Sequence, residues 1–149
     1  MLRDTLPSGM AILNLDKPAH AAAAGRLRDE PIIWLTTVDP SGQPQSTPVW
    51  FWWEGGEFLI YGAANGPKNR NIEANPLVSL HLEGNGRGGA NVIFEGRARI
   101  DPDGPRADAM PAYLEKYREF IDSNGWTPRS FADDYPHAIR VVPSRARIW

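Results

Sequence analysis

Along the chain, short β-branched and aromatic runs alternate with Gly-, Pro- and Asp-rich breaks. Ile32-Ile33-Trp34-Leu35-Thr36-Thr37-Val38 has the composition of a strand. Asp39-Pro40-Ser41-Gly42 follows as a turn, with Pro at its second position and Gly at its fourth. Gln43 to Trp53 reads as the returning strand, Glu54-Gly55-Gly56 turns again, and Glu57 to Tyr61 is a third strand. Leu77 to Leu82, Asn91 to Ile100 and Ala138 to Trp149 add a fourth, fifth and sixth. Short links between such strands favour an antiparallel meander or barrel.

Helical patterns flank these strands. The Ala run from Ala19 to Ala24, with Asp16 as a cap and Pro18 in the first turn, predicts a helix. A second runs from about Pro67 to Ala74, ending before Asn75-Pro76. Ala109, Tyr113, Tyr117, Phe120 and Ile121 have helical spacing and predict a third, from about Pro105 to Ile121. Thr127-Pro128 starts a short one, as a cap followed by a proline.

The 149 residues predict one domain at positions 19–149, preceded by an arm at 1–18. The 14 Gly and 14 Pro supply the turns of a β-rich fold. With 0 Cys the chain has no disulfide, thiolate metal site or Cys nucleophile. The three His, at 20, 81 and 137, lack ligand spacing, so no metal site is expected. A net charge of -2 gives no general pull toward nucleic acid or anionic membrane. The sequence shows no signal peptide and no apolar run near the roughly 20 residues that span a bilayer. A cytoplasmic location is therefore expected.

Three segments carry candidate chemistry. In Gly62 to Ile72 a strand ends, small residues turn the chain and a helix begins, with Lys68 and Arg70 in its first turn. Cations there oppose the helix dipole, and a bound phosphate would reverse that cost. The alternative is two solvated cations on a surface helix. In Gln45 to Trp53, Pro48 lacks an N–H and belongs at a sheet edge or open groove, where backbone groups could bond the polar edge of a ring system. Trp50 and Trp52 there could equally serve core or dimer packing. Gly84 to Asn91 is a Gly-rich loop that could approach a ligand or simply link two strands. No catalytic acid, base or nucleophile stands out. That absence fits proteins in which a cofactor carries the chemistry.

Taken in order, several segments resemble the pyridoxamine 5'-phosphate oxidase-like split-barrel superfamily. They look most like its actinobacterial branch of flavin/deazaflavin oxidoreductases, many of which use coenzyme F420. The segments are Trp34 to Val38, Asp39 to Gln45, Pro48-Val49-Trp50-Phe51, Lys68 to Ile72, Asn75 to His81, Glu95-Gly96-Arg97-Ala98 and Tyr113 to Tyr117. The resemblance implies a mainly β, six-stranded antiparallel split β-barrel of Greek-key, FMN-binding type with flanking helices. It also implies a homodimer with cofactor sites at the interface. The phosphate would meet Lys68, with the first-turn backbone from Pro67 and Asn71 nearby, Arg70 being the other candidate for the main phosphate ligand or, with Arg87, a partner for the longer F420 tail; the ring edge would meet Gln45, Ser46, Thr47, Pro48 and Val49. Ala63 stands where relatives often carry Ser or Thr. Gly89, Ala90 and Asn91 match a loop that relatives bring against the cofactor from either subunit.

The expected function is F420-dependent hydride transfer between reduced deazaflavin and a small or medium organic substrate. FMN is the alternative cofactor, because only one basic cluster is evident around the expected phosphate. A non-catalytic flavin, haem or tetrapyrrole binder, and a dimer without cofactor, are the remaining readings.

Overall fold

A computed structural model describes residues 11–149. The expected arm therefore lies mostly outside the described residues. What is described of it packs on the domain, with Leu13 buried in the core. Helix α1 spans Pro18–Asp29. Its N-cap is Lys17 and not Asp16, and no side chain caps it. The backbone N–H of Asp16 instead donates to the side chain of Asn14.

Seven strands follow: β1 Ile33–Val38, β2 Pro44–Val49, β3 Trp52–Glu54, β4 Glu57–Gly62, β5 Leu77–His81, β6 Val92–Asp101 and β7 His137–Ile148. Helix α2 (Pro67–Ala74) links β4 to β5. Helices α3 (Pro111–Ser123) and α4 (Pro128–Asp134) lie between β6 and β7. The fold is a mainly β, split-barrel one, but the expected six strands are seven. Gln43 to Trp53 is not one strand, because the chain leaves the sheet at Trp50-Phe51.

That break closes the architecture. All pairings are antiparallel, in the order β2-β1-β5-β6-β7-β4-β3. The two edge strands, β2 and β3, are consecutive in sequence. In a flat sheet they would lie about 29 Å apart, at about 4.8 Å per strand. Three Cα steps, from Val49 to Trp52, reach at most about 11 Å. The sheet must therefore curl until its edges meet.

Alternation on β1, with Ile33, Leu35 and Thr37 buried, fills the barrel interior together with Phe51, Phe58, Leu80 and Phe94. A second apolar cluster lies outside the barrel wall under α3 and α4, around Tyr61, Tyr113, Tyr117 and Phe131. Trp50 and Trp52 both pack against this second cluster. Trp53 packs against the first, its ring 4.6 Å from that of Phe58.

The third expected helix starts late. Pro111 has no N–H to donate and fits only a first turn, so Ala107–Ala109 forms a separate 3-10 turn and α3 begins at Pro111. Tyr113, Tyr117 and Ile121 form its buried stripe, and Phe120 lies partly exposed. Thr127 caps α4 through a reciprocal bond pair with Ser130.

Candidate functional site

Helix α2 brings most of the expected phosphate residues together. Pro67 takes the first position, where a missing N–H costs nothing. Gly66 precedes it, with no side-chain cap and no acidic residue in the first turn. The start of the helix therefore keeps its partial positive charge uncompensated. Lys68 is half-buried, and burial pulls its ammonium below the ordinary lysine value. Among the described residues it has no ion-pair partner. Arg70 turns the other way, is exposed, and donates to the Asn65 carbonyl at 3.0 Å.

Two buried asparagines fix the helix. Asn69 donates to the Ala63 carbonyl at 2.6 Å, which sets the turn out of β4. Asn71 donates to Thr37 Oγ1 at 3.0 Å and to Gln45 Oε1 at 2.9 Å. It thereby ties α2 to β1 and to β2. Asn69 is absent from the sequence-based expectations. A second asparagine two residues before Asn71 on a short helix is the signal available in the sequence.

Strand β2 is an open edge. Gln45, Ser46 and Pro48 are exposed, Thr47 is half-buried and Val49 is buried. Ser46 and Thr36 share a hydroxyl hydrogen bond of 2.6 Å across the β1–β2 pair. Pro48 sits opposite Trp34 on this edge, the position a strand proline tolerates. The outward backbone groups of such an edge are available to a ligand.

Gly89, Ala90 and Asn91 are not brought to this site within one chain. They precede the Val92 end of β6, where Asn91 and Trp149 exchange backbone bonds. Helix α2 leads into β5 toward the other end, where the Ala98 N–H donates to the Pro76 carbonyl. The loop itself is held. Arg26 donates to the backbone carbonyls of Glu83 and Ala90, and the Asn85 side-chain oxygen Oδ1 accepts from the Arg87 and Gly89 N–H groups. Ala90 adopts φ 55°, a strained value for a residue with a Cβ.

Beside Lys68 and the end of β2 lies a cavity of about 390 Å³. Beyond Pro48, Val49 and Lys68, its walls are mostly aromatic: Trp50, Tyr113, Trp126, Phe131 and Tyr135. Apart from Pro48, Val49 and Lys68, none of its lining residues was among the expected site residues. They come from segments up to about 100 residues apart, and no local motif joins them.

His81 does not act at this site. It stacks on Trp34 on the outer sheet face, with centroids 6.4 Å apart. Asp133, at the end of α4, pairs with Arg106 at 2.8 Å.

Residues 19–149 match the family model for pyridoxamine 5'-phosphate oxidase. The chain belongs to the pyridoxamine 5'-phosphate oxidase family. Solved members of this fold vary in role. An F420 reductase is 26% identical over 81% of this chain and 93% of its own, with a TM-score of 0.58. A conserved hypothetical protein of Mycobacterium tuberculosis is 23% identical over 96% and 89%, with a TM-score of 0.70. HutZ, the haem storage protein of Vibrio cholerae, is 17% identical over 93% and 95%, with a TM-score of 0.59. The last two likenesses speak to fold alone. Among the described residues of the present family member, no helix is long and apolar enough to cross a membrane.

Proposed function

We propose that this protein is an oxidoreductase that uses coenzyme F420, held across α2 and the open edge of β2. The carrying observation is Lys68. It is a half-buried ammonium with no ion-pair partner among the described residues, set in the uncapped first turn of α2. A phosphate supplies the missing partner and also meets the helix's positive end. Pro67 and the backbone of the first turn shape that cradle, and Arg70 stands beside it. Asn71 holds the cradle to Gln45, so the phosphate end and the β2 edge move as one unit. Ser46, Thr47, Pro48 and Val49 then offer the edge along which a tricyclic ring lies. Ala63 contributes its carbonyl to the turn and no hydroxyl to the phosphate.

Bound there, such a cofactor supplies hydride transfer to or from a small or medium organic substrate. The chain's own part is to orient the ring and keep one face dry. The match to an F420 reductase, and the single basic cluster, favour the deazaflavin over FMN.

Two copies of the chain form the working unit in this reading. Leu77 and Val142 are half-exposed at register positions flanking Arg97 on the outer sheet face, apolar surface for a second copy to cover. Gly89, Ala90 and Asn91 would then reach a cofactor from that second copy. A chain without cysteine suits the cytoplasm, where the reading puts it.

The test is a tryptophan-fluorescence titration with F420, FMN and haem in parallel, with Trp50 and Trp126 beside the site as reporters. Saturable quenching by F420, lost in Lys68→Ala, is the expected result. Saturation by FMN alone moves the cofactor assignment to the flavin. Saturation by haem alone, or by none of the three, overturns the proposal.

A further inference from the structure

We infer that the cavity between the barrel seam and α3–α4 binds planar aromatic acids, with the ring among its aromatic walls and the carboxylate on the Lys68 ammonium, and that such an acid and the cofactor phosphate exclude one another. The exclusion rests on the proposed function, whereas the cavity's own ligand does not.

The walls present ring surface to an occupant. Trp50, Trp126 and Tyr135 line the cavity, and each stays partly exposed. Buried rings hold them from behind. Trp50 stacks on Tyr117 at 4.7 Å and on Phe131 at 5.2 Å, with interplanar angles of 5° and 16°. Phe131 stacks in turn on Tyr135 at 4.9 Å and meets Trp126 at 6.1 Å. Rings restrained in this way are ordered before a guest arrives, so binding immobilises few side chains. A flat guest keeps contact along such surfaces, and a puckered one of the same size loses part of it. A volume of about 390 Å³ lies in the range of small-molecule sites.

One end of the cavity is cationic. Lys68 lines it beside Pro48 and Val49, neither of which has a side-chain acceptor. Lys68 is half-buried and, among the described residues, makes no hydrogen bond or ion pair. Burial pulls its ammonium below the ordinary lysine value, as expected of a charge short of both water and a partner. Its stem springs from the first turn of α2, whose uncapped start adds positive potential. A carboxylate arriving along the rings offsets that burial with a charge-assisted hydrogen bond. A neutral ring leaves the ammonium unpaired, and a cationic one is repelled by it. A planar acid answers both ends of the cavity at once.

The same ammonium is the proposed partner of the cofactor phosphate. A lysine is a compact point charge. Two anions brought to it, one at the helix start and one through the cavity, repel each other where little water screens them. Aromatic acids therefore compete with the cofactor and set how much of the protein is loaded.

The test is calorimetric titration of the full chain without cofactor, using three probes of similar size. Naphthoate carries ring and charge, naphthamide keeps the ring without the charge, and decalin carboxylate keeps the charge without the flat ring. Naphthoate should bind at least about tenfold more tightly than naphthamide, the scale of a hydrogen bond to a charged group. It should also bind about fivefold more tightly than decalin carboxylate. Lys68→Met should bring naphthoate down to the naphthamide level and leave naphthamide within about twofold. Tyr135→Ala, at a partly exposed position, should weaken both aromatic probes about fivefold while circular dichroism stays unchanged. F420 should raise the apparent Kd of naphthoate in step with its own occupancy. No binding of naphthoate to the wild type, or an affinity unchanged in Lys68→Met or in Tyr135→Ala, overturns the site. Equal binding of naphthoate and decalin carboxylate overturns the flat ligand, and full-strength binding of naphthoate beside F420 overturns the exclusion. Naphthoate binding as expected, by a protein that takes neither F420 nor FMN, would sink the cofactor reading and leave this site standing.

Discussion

The hydroxyl of Tyr117 accepts a hydrogen bond from the backbone N–H of Phe51 at 2.8 Å, across 66 residues of sequence. Phe51 lies where the chain crosses from one sheet edge to the other, so neither ladder pairs its N–H. It is also fully buried, so water cannot. Helix α3 therefore supplies from outside what a closed barrel would supply within the sheet. The Lys116 ammonium completes the seam, donating to the Phe51 carbonyl at 3.1 Å and lying 3.8 Å from the centre of its ring. Tyr117→Phe keeps the packing and orphans one buried N–H. Its expected cost is about 1–3 kcal/mol, read as a lower urea midpoint at unchanged slope.

Lys116 gives the seam a pH dependence with a definite sign. Burial pulls its ammonium from 10.5 down to about 8. Between these values the unfolded chain binds more protons than the folded one, so this group makes stability rise with pH. The tyrosines act oppositely. Tyr61 is raised to about 12 and Tyr113 well above the ordinary value, so their contribution is lost as pH climbs past about 10. Urea midpoints of the wild type should therefore climb from about pH 8 to 10 relative to those of Lys116→Met, in which that titration is gone. Parallel curves for the two proteins would show that Lys116 titrates normally.

Gly96 marks where β6 and β7 approach too closely for a side chain. The register shifts between Glu95 and Gly96. An added Cβ at Gly96 would sit 2.6 Å from the Val142 carbonyl oxygen and 2.9 Å from Pro143 Cα. Both obstacles are backbone of the partner strand, so neither can swing aside. Gly96→Ala should cost about 3 kcal/mol and lower the melting temperature by roughly 10 °C. A calorimetric scan of wild type and variant checks it, and an unshifted melt would mean the bulge relaxes freely.

Six strand positions, α2 and the Thr127 cap were legible because local composition and turn chemistry decide them. The strand break at Trp50-Phe51 was not, because an unbroken aromatic run carries no punctuation. It is imposed by sheet closure, a constraint on residues far apart. The Pro105 to Ile121 helix was overextended because helical spacing outweighed Pro111, whose missing N–H decides the start. At the site, Lys68 and the β2 edge were visible as motifs. The aromatic cavity was not, since Ile32, Trp50, Tyr113 and Tyr135 meet only through the tertiary fold.

Asn71 tests whether the two halves of the proposed cofactor site are coupled. Its amide joins Thr37 on β1 and Gln45 on β2, and it is 4% exposed. Asn71→Ala leaves the Thr37 hydroxyl, itself 2% exposed, without this partner, so stability should fall by about 1–3 kcal/mol. It also frees Gln45 from α2, so phosphate cradle and ring edge no longer hold a fixed separation. F420 affinity should then fall roughly tenfold, although Asn71 need touch only the phosphate end. Gln45→Ala alone should cost a similar factor. If both act through one shared bond, the double variant should bind scarcely worse than either single one. Full additivity in that titration cycle would mean that the two residues meet the cofactor independently and that the Asn71–Gln45 bond positions nothing.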